Sequence, residues 1–300
     1  MAHILVAGLV NIETTLKIEG FPQHYYPVTY PFDGIQSGVS GVAYNVAKAL
    51  AILGDEVDLC TLLAPDMAGV QVQQALAKIP RINACLDMSM QSTPQSVILY
   101  DPQGQRQIHV DLKDIQQLSY SSPLLIHSLS QADAVVMCNI NFARPMLDQA
   151  KQAGKLIATD VHTLGSIEDE YNQQFLTAAD VLFLSDEQVE GDYHQFIWQL
   201  VERYQNQVIV MGLGSNGALL YTQQSGHIQH FSAISTRKIV NTIGAGDALF
   251  SCFLHYYVAN KDAEQALQRA ITFASYKIGE AGAACGFLSH QQLEELISTQ

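Results

Sequence analysis

The segment Asn241-Thr242-Ile243-Gly244-Ala245-Gly246-Asp247 stands directly before an apolar, helix-like stretch that continues as Ala248-Leu249-Phe250. Small residues at 244–246 let backbone N–H groups approach a ligand closely, and a helix N-terminus there favours an anion such as phosphate. The same helix end favours the ionised form of Asp247, which suits a proton acceptor. An anion-binding loop beside a carboxylate base is what phosphoryl transfer to an alcohol requires. A glycine-rich turn with an aspartate N-cap is the structural alternative.

Outward from this segment, strand patterns alternate with helix patterns along the chain. Predicted strands are His3–Val10, Val57–Leu63, Ala134–Cys138, Leu156–Thr159, Val181–Leu184 and Val208–Met211. Predicted hairpins are Gln95–Val110 and the pair Ala218–Tyr221 with Ile228–Phe231. Predicted helices are Val42–Leu53, Met67–Ile79, Pro145–Ala153, one containing Phe196 to Tyr204, Ala245–Val258, Ala263–Ile278 and Gln291–Ile297. This alternation predicts an α/β fold with a mostly parallel sheet and helices on both faces.

Composition excludes several classes of protein. The 300 residues include 15 Lys and Arg against 29 Asp and Glu, a net charge of −14. That balance disfavours nucleic acid and anionic membranes as partners, because both require clustered basic residues. No apolar stretch reaches the roughly 20 residues that span a bilayer. The N-terminus does not resemble a signal peptide, and the five cysteines form no Cys-x-x-Cys pair, so we expect a cytoplasmic protein with reduced cysteines.

The 241–247 segment resembles the C-terminal signature of the PfkB, or ribokinase-like, carbohydrate and nucleoside kinases. The resemblance implies a ribokinase-like three-layer sandwich with a small β lid. It implies one domain over 1–300, with lid segments near 14–40 and 95–111. It also implies that Asp247 is the catalytic base and that Gly244, Ala245 and Gly246 form the anion hole.

Further matches concern the phosphoryl acceptor. Gly41 and Asn45, in Ser40-Gly41-Val42-Ala43-Tyr44-Asn45, match family positions that line the acceptor site, although Ser40 replaces a glycine. Asn11 and Glu13 match the residues after the first strand that hold substrate hydroxyls, with Glu13 where the family commonly has aspartate. An asparagine packed inside a helix and an exposed surface glutamate are the structural alternatives.

The nucleotide side departs more from the family. Ser185 and Gln188 occupy the positions of an Asn-x-x-Glu motif that organises metal and phosphates, so a carboxylate is missing at 188. Asn241 stands where aspartate is usual, beside Thr242, which leaves K⁺ dependence open. Gly214 and Gly217 resemble a turn beside the nucleotide. The resemblance implies ATP, with Mg²⁺ bound through ATP and water rather than by direct protein ligands, and it leaves K⁺ as an open alternative.

The lid itself leaves two interpretations open. Tyr25, Tyr26, Tyr30 and Phe32 could stack on a base or cover a sugar, or they could pack on a second subunit in a lid-mediated homodimer. Arg106, near the hairpin turn, is either close to the acceptor site or an ordinary surface residue.

We therefore expect an ATP-dependent kinase acting on a hydroxymethyl group of a sugar. A nucleoside kinase and a non-catalytic sugar- or nucleotide-binding relative remain alternatives. Departures at Ser40, Ser185, Gln188 and Asn241 motivate the non-catalytic alternative, and the intact Gly-Ala-Gly-Asp argues against it.

Overall fold

The computed structural model describes residues 1–121 and 124–299. Its strands are β1 His3–Ala7, β2 Asn11–Lys17, β3 Ile35–Ser40, β4 Glu56–Leu62, β5 Ile82–Asp87, β6 Gln95–Tyr100, β7 Arg106–Asp111, β8 Ala134–Met137, β9 Leu156–Thr163, β10 Val181–Ser185, β11 Val208–Gly212, β12 Ala218–Thr222 and β13 His227–Phe231. Its α-helices are α1 Val42–Leu53, α2 Met67–Leu76, α3 Leu124–Gln131, α4 Arg144–Gln152, α5 Gln173–Ala178, α6 Tyr193–Tyr204, α7 Ala245–Asn260, α8 Ala263–Lys277 and α9 His290–Ser298.

Two sheets organise these elements. The large sheet has the order β13-β12-β11-β10-β9-β8-β1-β4-β5, and the pairs from β11 through β5 are all parallel. Strands β12 and β13 continue it as an antiparallel edge. The small sheet has the order β3-β2-β6-β7, in which only the central pair is parallel. The predicted fold class, an α/β sandwich with a small β lid, is confirmed.

Two apolar layers fix the helices on opposite faces of the large sheet. One layer includes Leu50 of α1, Phe253 of α7 and Phe273 of α8, all fully buried. The other includes Phe175 of α5 and Ile197 of α6. Burying each such side chain contributes about 1.5–3 kcal/mol, so the layers hold the strand ends in fixed relative positions.

Helix α1 begins and ends where the sequence predicts. Its N-cap, Gly41, has φ 101°, and a side chain there would place its Cβ 2.5 Å from the carbonyl oxygen of Leu9. Only glycine combines that backbone angle with so close an approach. At the other end, the N–H of Gly54 donates to the carbonyl oxygen of Leu50 at 3.0 Å. Gly41 therefore sets the start of the helix that carries Asn45.

Several boundaries differ from the predictions. The first strand ends at Ala7 rather than Val10, because the chain bends at Gly8, which packs so tightly on Cys138 that a Cβ would lie 2.4 Å from its Sγ atom. Residues 8–10 then connect β1 to β2, which begins the small sheet at Asn11. Helix α2 stops at Leu76, and β9 continues to Thr163. The sequence patterns did not reveal β5, α3 or α5.

Four of the five cysteines are buried and unpaired, as expected, whereas Cys285 is exposed. Within residues 1–121 and 124–299, none of the helices has the length and apolar character needed to cross a membrane.

Candidate active site

The 241–247 segment forms a tight loop that opens helix α7. Gly244 is the N-cap residue with φ 74°, and a Cβ there would lie 2.6 Å from the carbonyl oxygen of Ala283. The side-chain oxygen of Asn241 accepts the N–H of Ile243 at 3.1 Å, and the N–H of Ala245 donates to the carbonyl oxygen of Thr242 at 3.2 Å. The loop is thus closed by its own hydrogen bonds, and the exposed Gly246 stands in the first turn of α7.

Asp247 lies one residue further along that first turn, and its side chain meets helix α1. Its carboxylate accepts a hydrogen bond from the side-chain amide of Asn45 at 2.7 Å. Burial raises the pKa of Asp247, and the nearby Asp160 raises it further, whereas His162 and Asn45 act to lower it. A partly buried carboxylate with a raised pKa and one hydrogen-bond donor is suited to accepting a proton.

A chain of hydrogen-bonded side chains continues from Asp247 into the small sheet. The hydroxyl oxygen of Ser40 lies 3.0 Å from Oε2 of Glu13, to which it donates, and 3.3 Å from Oδ1 of Asn45. Burial raises the pKa of Glu13, and the Ser40 hydrogen bond opposes that rise. The exposed-surface interpretation of Glu13 is wrong, because this carboxylate is partly buried and accepts a hydrogen bond from Ser40.

Asn11, the first residue of β2, is buried beside these hydrogen-bonded side chains. Its side-chain amide donates to the hydroxyl of Ser96 at 3.0 Å. Its side-chain oxygen is buried and has no hydrogen-bond partner within the described parts of the chain. Such an acceptor is costly when left unpaired. The predicted acceptor-site residues therefore all lie at the junction of the two sheets. They are Asn11, Glu13, Gly41 and Asn45.

The predicted nucleotide-side residues lie at the carboxyl ends of two adjacent parallel strands. Ser185 is the last residue of β10, and Gln188 follows in the next turn. Gly214 and Gly217 bound a short turn after β11. Among the described hydrogen bonds, none joins Ser185 or Gln188 to the 241–247 loop. The structure therefore places these residues at the same edge of the sheet as the loop without connecting them directly.

Arg106, at the start of β7, connects the 241–247 loop to the turn after β10 instead. Its guanidinium donates to the hydroxyl oxygen of Thr242 at 3.3 Å and forms an ion pair with Glu187 at 2.8 Å. Arg106 is exposed, yet it bridges the tip of the small sheet to the loop and to the turn after β10. Its hydrogen bonds therefore reach the loop and the turn after β10, and no hydrogen bond among the described residues joins it to Asn11, Glu13 or Asn45.

Sequence reasoning missed Lys277, the last residue of α8. Its side chain is fully buried, and its ammonium group donates to the carbonyl oxygen of Ile243 inside the loop. A lysine at the end of a helix is expected to be exposed to solvent. Its spacing of four from the buried Phe273 and seven from Ala270 was the available signal, because those offsets share a helix face.

The aromatic residues of the segment before β3 are largely exposed. Tyr25, Tyr30 and Phe32 are 90%, 75% and 89% exposed, and the last two rings stack with centroids 6.5 Å apart. Around the loop and elsewhere in residues 1–121 and 124–299, no three His, Cys, Asp or Glu side chains cluster as a metal site.

Comparison with known proteins places most of the chain in one family. The model of the pfkB family of carbohydrate kinases matches residues 1–288. The ribokinase of Dictyostelium discoideum is 24% identical over 93% of this chain and 95% of its own length. The deoxyribokinase of Salmonella typhi is 37% identical over 100 residues, which are 33% of this chain and 31% of that protein. The match to this relative thus spans about a third of its length.

Solved structures show the same fold. A microbiome-derived acarbose kinase, Mak1, superposes with a TM-score of 0.90, at 24% identity over 99% of both chains. An Escherichia coli putative ribokinase II in complex with ATP and Mg²⁺ has a TM-score of 0.80, at 16% identity over 100% of both chains. With a family model covering nearly the whole sequence, this chain belongs to the pfkB family of carbohydrate kinases.

Proposed function

We propose that this protein is an ATP-dependent kinase that transfers the γ-phosphoryl group to a hydroxymethyl group of a sugar or related carbohydrate. One observation carries the proposal: the Asp247 carboxylate stands in the first turn of α7, directly after a closed glycine loop, and is held by Asn45. A helix N-terminus stabilises a phosphoryl group, and a carboxylate beside it takes the proton of the attacking alcohol.

In this reaction the substrate hydroxyl lies against Asp247 on the side of the carboxylate that Asn45 does not occupy. As the oxygen attacks the γ-phosphorus, its proton passes to Asp247, the bond from that phosphorus to the β–γ bridging oxygen breaks, and ADP leaves. The backbone N–H of Gly246, in the first turn of α7, faces the charge that develops on the transferred group, whereas the N–H of Ala245 is already bonded to Thr242. Gly244 is required because a side chain there would strike the backbone of Ala283.

The acceptor binds at the junction of the two sheets. The unpaired side-chain oxygen of Asn11 accepts a substrate hydroxyl, and Glu13 takes another. The partly buried carboxylate of Glu13 is fixed by Ser40, so its longer side chain reaches a defined position. This arrangement supports a small polyhydroxylated acceptor, because each of these groups pairs with a hydroxyl.

ATP lies along the edge formed by the turns after β10 and β11, with Ser185, Gln188, Gly214 and Gly217 beside it. When bound, Mg²⁺ would neutralise part of the negative charge of the phosphates. The residues present fit such an ion held through phosphates and water, since Asp186, Glu187 and Glu190 follow β10. Thr242 and Arg106 lie where the small sheet closes over the nucleotide.

A homodimer through the small sheet is part of the proposal. Several apolar side chains are exposed on the small sheet and on the segment between β2 and β3. They include Tyr25, Tyr30, Phe32, Ile108 and Val110. Exposed apolar groups in such number favour a partner surface.

The experiment that tests the function is ADP release from Mg-ATP across pentoses, hexoses, ketoses, sugar acids and nucleosides. Turnover on one class of sugar that is lost in Asp247→Ala supports the proposal. Turnover on nucleosides alone favours the nucleoside kinase, to which the exposed aromatic side chains would contribute by stacking. Thermal stabilisation by ATP or a sugar, without ADP formation on any acceptor, contradicts the proposal in favour of a binding protein.

A further inference from the structure

Lys277 is an unusual lysine, because its charge is buried without a carboxylate partner. Its side chain has no solvent exposure, and among the described ion pairs none involves it. A buried ammonium group is unfavourable unless its surroundings compensate for the lost water. The compensation comes from a peptide carbonyl, that of Ile243, inside the anion-binding loop.

The end of α8 holds this loop at three points. The carbonyl oxygen of Ile278 accepts the N–H groups of Val240 at 2.8 Å and Asn241 at 3.3 Å. The Lys277 ammonium group takes the carbonyl of Ile243, two residues further on. A cation suits this place, since carbonyl groups at a helix C-terminus carry partial negative charge. The geometry of the loop thus depends on a positive charge supplied from within the chain.

A monovalent metal ion does not fit the same place. Such an ion needs several oxygen ligands, and here the Ile243 carbonyl is already occupied by the ammonium group. The side-chain oxygen of Asn241 is bound to the N–H of Ile243, and position 241 offers an amide where a carboxylate would attract a cation. These two oxygens are therefore engaged by the protein itself.

We propose that Lys277 is the resident cation of this site, which holds the 241–244 loop in its anion-binding shape and makes turnover independent of added K⁺ or Na⁺. The inference rests on the proposed kinase function. Lys277 acts through the loop and is a positioning residue, because its ammonium group contacts the backbone rather than the reacting atoms.

The charges around Lys277 support this role. Asp247 on α7 and Glu13 on β2 attract its positive charge, whereas Arg237 opposes it. Burial lowers the pKa of Lys277 to about 8, so the group is mainly charged at neutral pH. The same positive charge lies near the base and near the acceptor carboxylate, where a phosphoryl group with several negative charges must be brought.

The test measures turnover in buffers whose only monovalent cation is either tetramethylammonium or K⁺, at equal ionic strength. The wild-type rate is expected to agree within twofold between the two buffers. Lys277→Met is expected to lower kcat at least tenfold with little change in the KM for the acceptor. Lys277→Gln, which keeps a donor without the charge, is expected to lose most of the rate as well. Lys151→Met, on the exposed end of α4, is the matched control.

Rescue provides the decisive comparison. In Lys277→Ala, which leaves room for an ion or a small amine, K⁺ or methylammonium is expected to restore at least part of the rate. A purely structural lysine would show no such cation-specific recovery. Wild-type activation by K⁺ of fivefold or more overturns the inference, and so does a Lys277→Met protein with the wild-type rate in tetramethylammonium.

A readout without catalysis separates this inference from the proposed function. If no acceptor is turned over, the kinase proposal fails, and thermal unfolding then tests the cation alone. K⁺ is expected to raise the Tm of Lys277→Ala more than that of the wild type at equal ionic strength. Equal shifts in the two proteins contradict the role of Lys277.

Discussion

Asn45 and Asp247, 202 residues apart in sequence, are joined by a hydrogen bond of 2.7 Å from amide to carboxylate. The bond links the first and seventh helices, which pack on the same face of the large sheet. It fixes the carboxylate oxygen that faces α1, so the second oxygen is directed elsewhere. The catalytic proposal depends on this orientation, because a base must present a free oxygen to the substrate hydroxyl.

Replacing Asp247 separates activity from stability. Asp247→Asn is expected to lower kcat by about 10²–10⁴-fold, the usual contribution of a positioned acid–base group. The same change is expected to raise the Tm near neutral pH. Burial raises the pKa of Asp247, so the folded state binds its proton more tightly than the unfolded state and the ionised group is unfavourable at higher pH. Steady-state kinetics and thermal unfolding check the two effects.

The control for this change is Asp148→Asn, an exposed aspartate on α4. It is expected to leave both quantities unchanged. A Tm of Asp247→Asn below that of the wild type would show that the carboxylate stabilises the fold.

The pH dependence of kcat/KM reports the same carboxylate. Because its pKa is raised, activity is expected to fall on the acid side at a pH above that of an ordinary aspartate. Asn45→Ala removes a donor that lowers this pKa, so the acid limb should move to still higher pH. A limb that stays in place in Asn45→Ala would assign the titration to another group.

Lys277→Met is expected to stabilise the protein while impairing turnover. The folded-state pKa of Lys277 is lowered from 10.5 to about 8, which at 1.36 kcal/mol for each pKa unit corresponds to about 3 kcal/mol near neutral pH. The penalty disappears as the pH rises from 8 to 10.5, because the folded state loses its proton first. Denaturant unfolding at pH 7 and pH 10.5 measures the difference. Equal free energies of unfolding for the wild type and Lys277→Met at pH 7 would contradict the presence of an unfavourable buried charge at Lys277.

Glu13 and Ser40 are expected to act as a pair. Glu13→Asp shortens the carboxylate away from the Ser40 hydroxyl, and Ser40→Gly removes that hydroxyl. Each change should lower kcat/KM for the acceptor about fivefold, the value of a hydrogen bond worth about 1 kcal/mol. The double variant should resemble either single one, which gives a coupling energy of about 1 kcal/mol.

Thr14 and Ser37 supply the control cycle for this pair. Their hydroxyls lie 3.1 Å apart on the same two strands, and both side chains are outside the proposed site. Thr14→Val and Ser37→Ala are expected to leave kcat/KM within twofold. Additive effects of the Glu13 and Ser40 changes would show that the two residues act separately.

The proposed dimer depends on exposed apolar groups before β3. Sedimentation at micromolar concentration is expected to give a dimer for the wild type and a monomer for a variant carrying Tyr30→Asp and Phe32→Asp. Ile126→Asp, an exposed change on α3, should remain dimeric. A monomeric wild type would leave the aromatic segment without its proposed partner.

The sequence predicted the large sheet well, because apolar runs and glycine boundaries are local signals. Helix α1 follows its prediction at both ends, since Gly41 and Gly54 bound it. The short edge strand β5, with the exposed residues Asn83 and Ala84, carries too little apolar pattern to be recognised.

The site was predictable in part. The position of Asp247 at the start of a helix could be predicted, because it directly follows a contiguous run of small residues. The contacts of Arg106 and the burial of Lys277 were not, because both depend on tertiary packing between distant segments. Departures from the family pattern also looked independent in sequence, whereas Ser40 and Glu13 prove to be bonded to each other.

A line of hydrogen-bonded side chains runs from Glu13 through Ser40 and Asn45 to Asp247. This line affects when Asp247 can act as a base. Two of the side chains belong to the small sheet and two to the helices beneath it. A swing of the small sheet away from the large one would break this line and leave the base with altered surroundings. Asp247 would then act fully as a base only when the small sheet is closed. Phosphoryl transfer to the sugar would be favoured over hydrolysis of ATP by water.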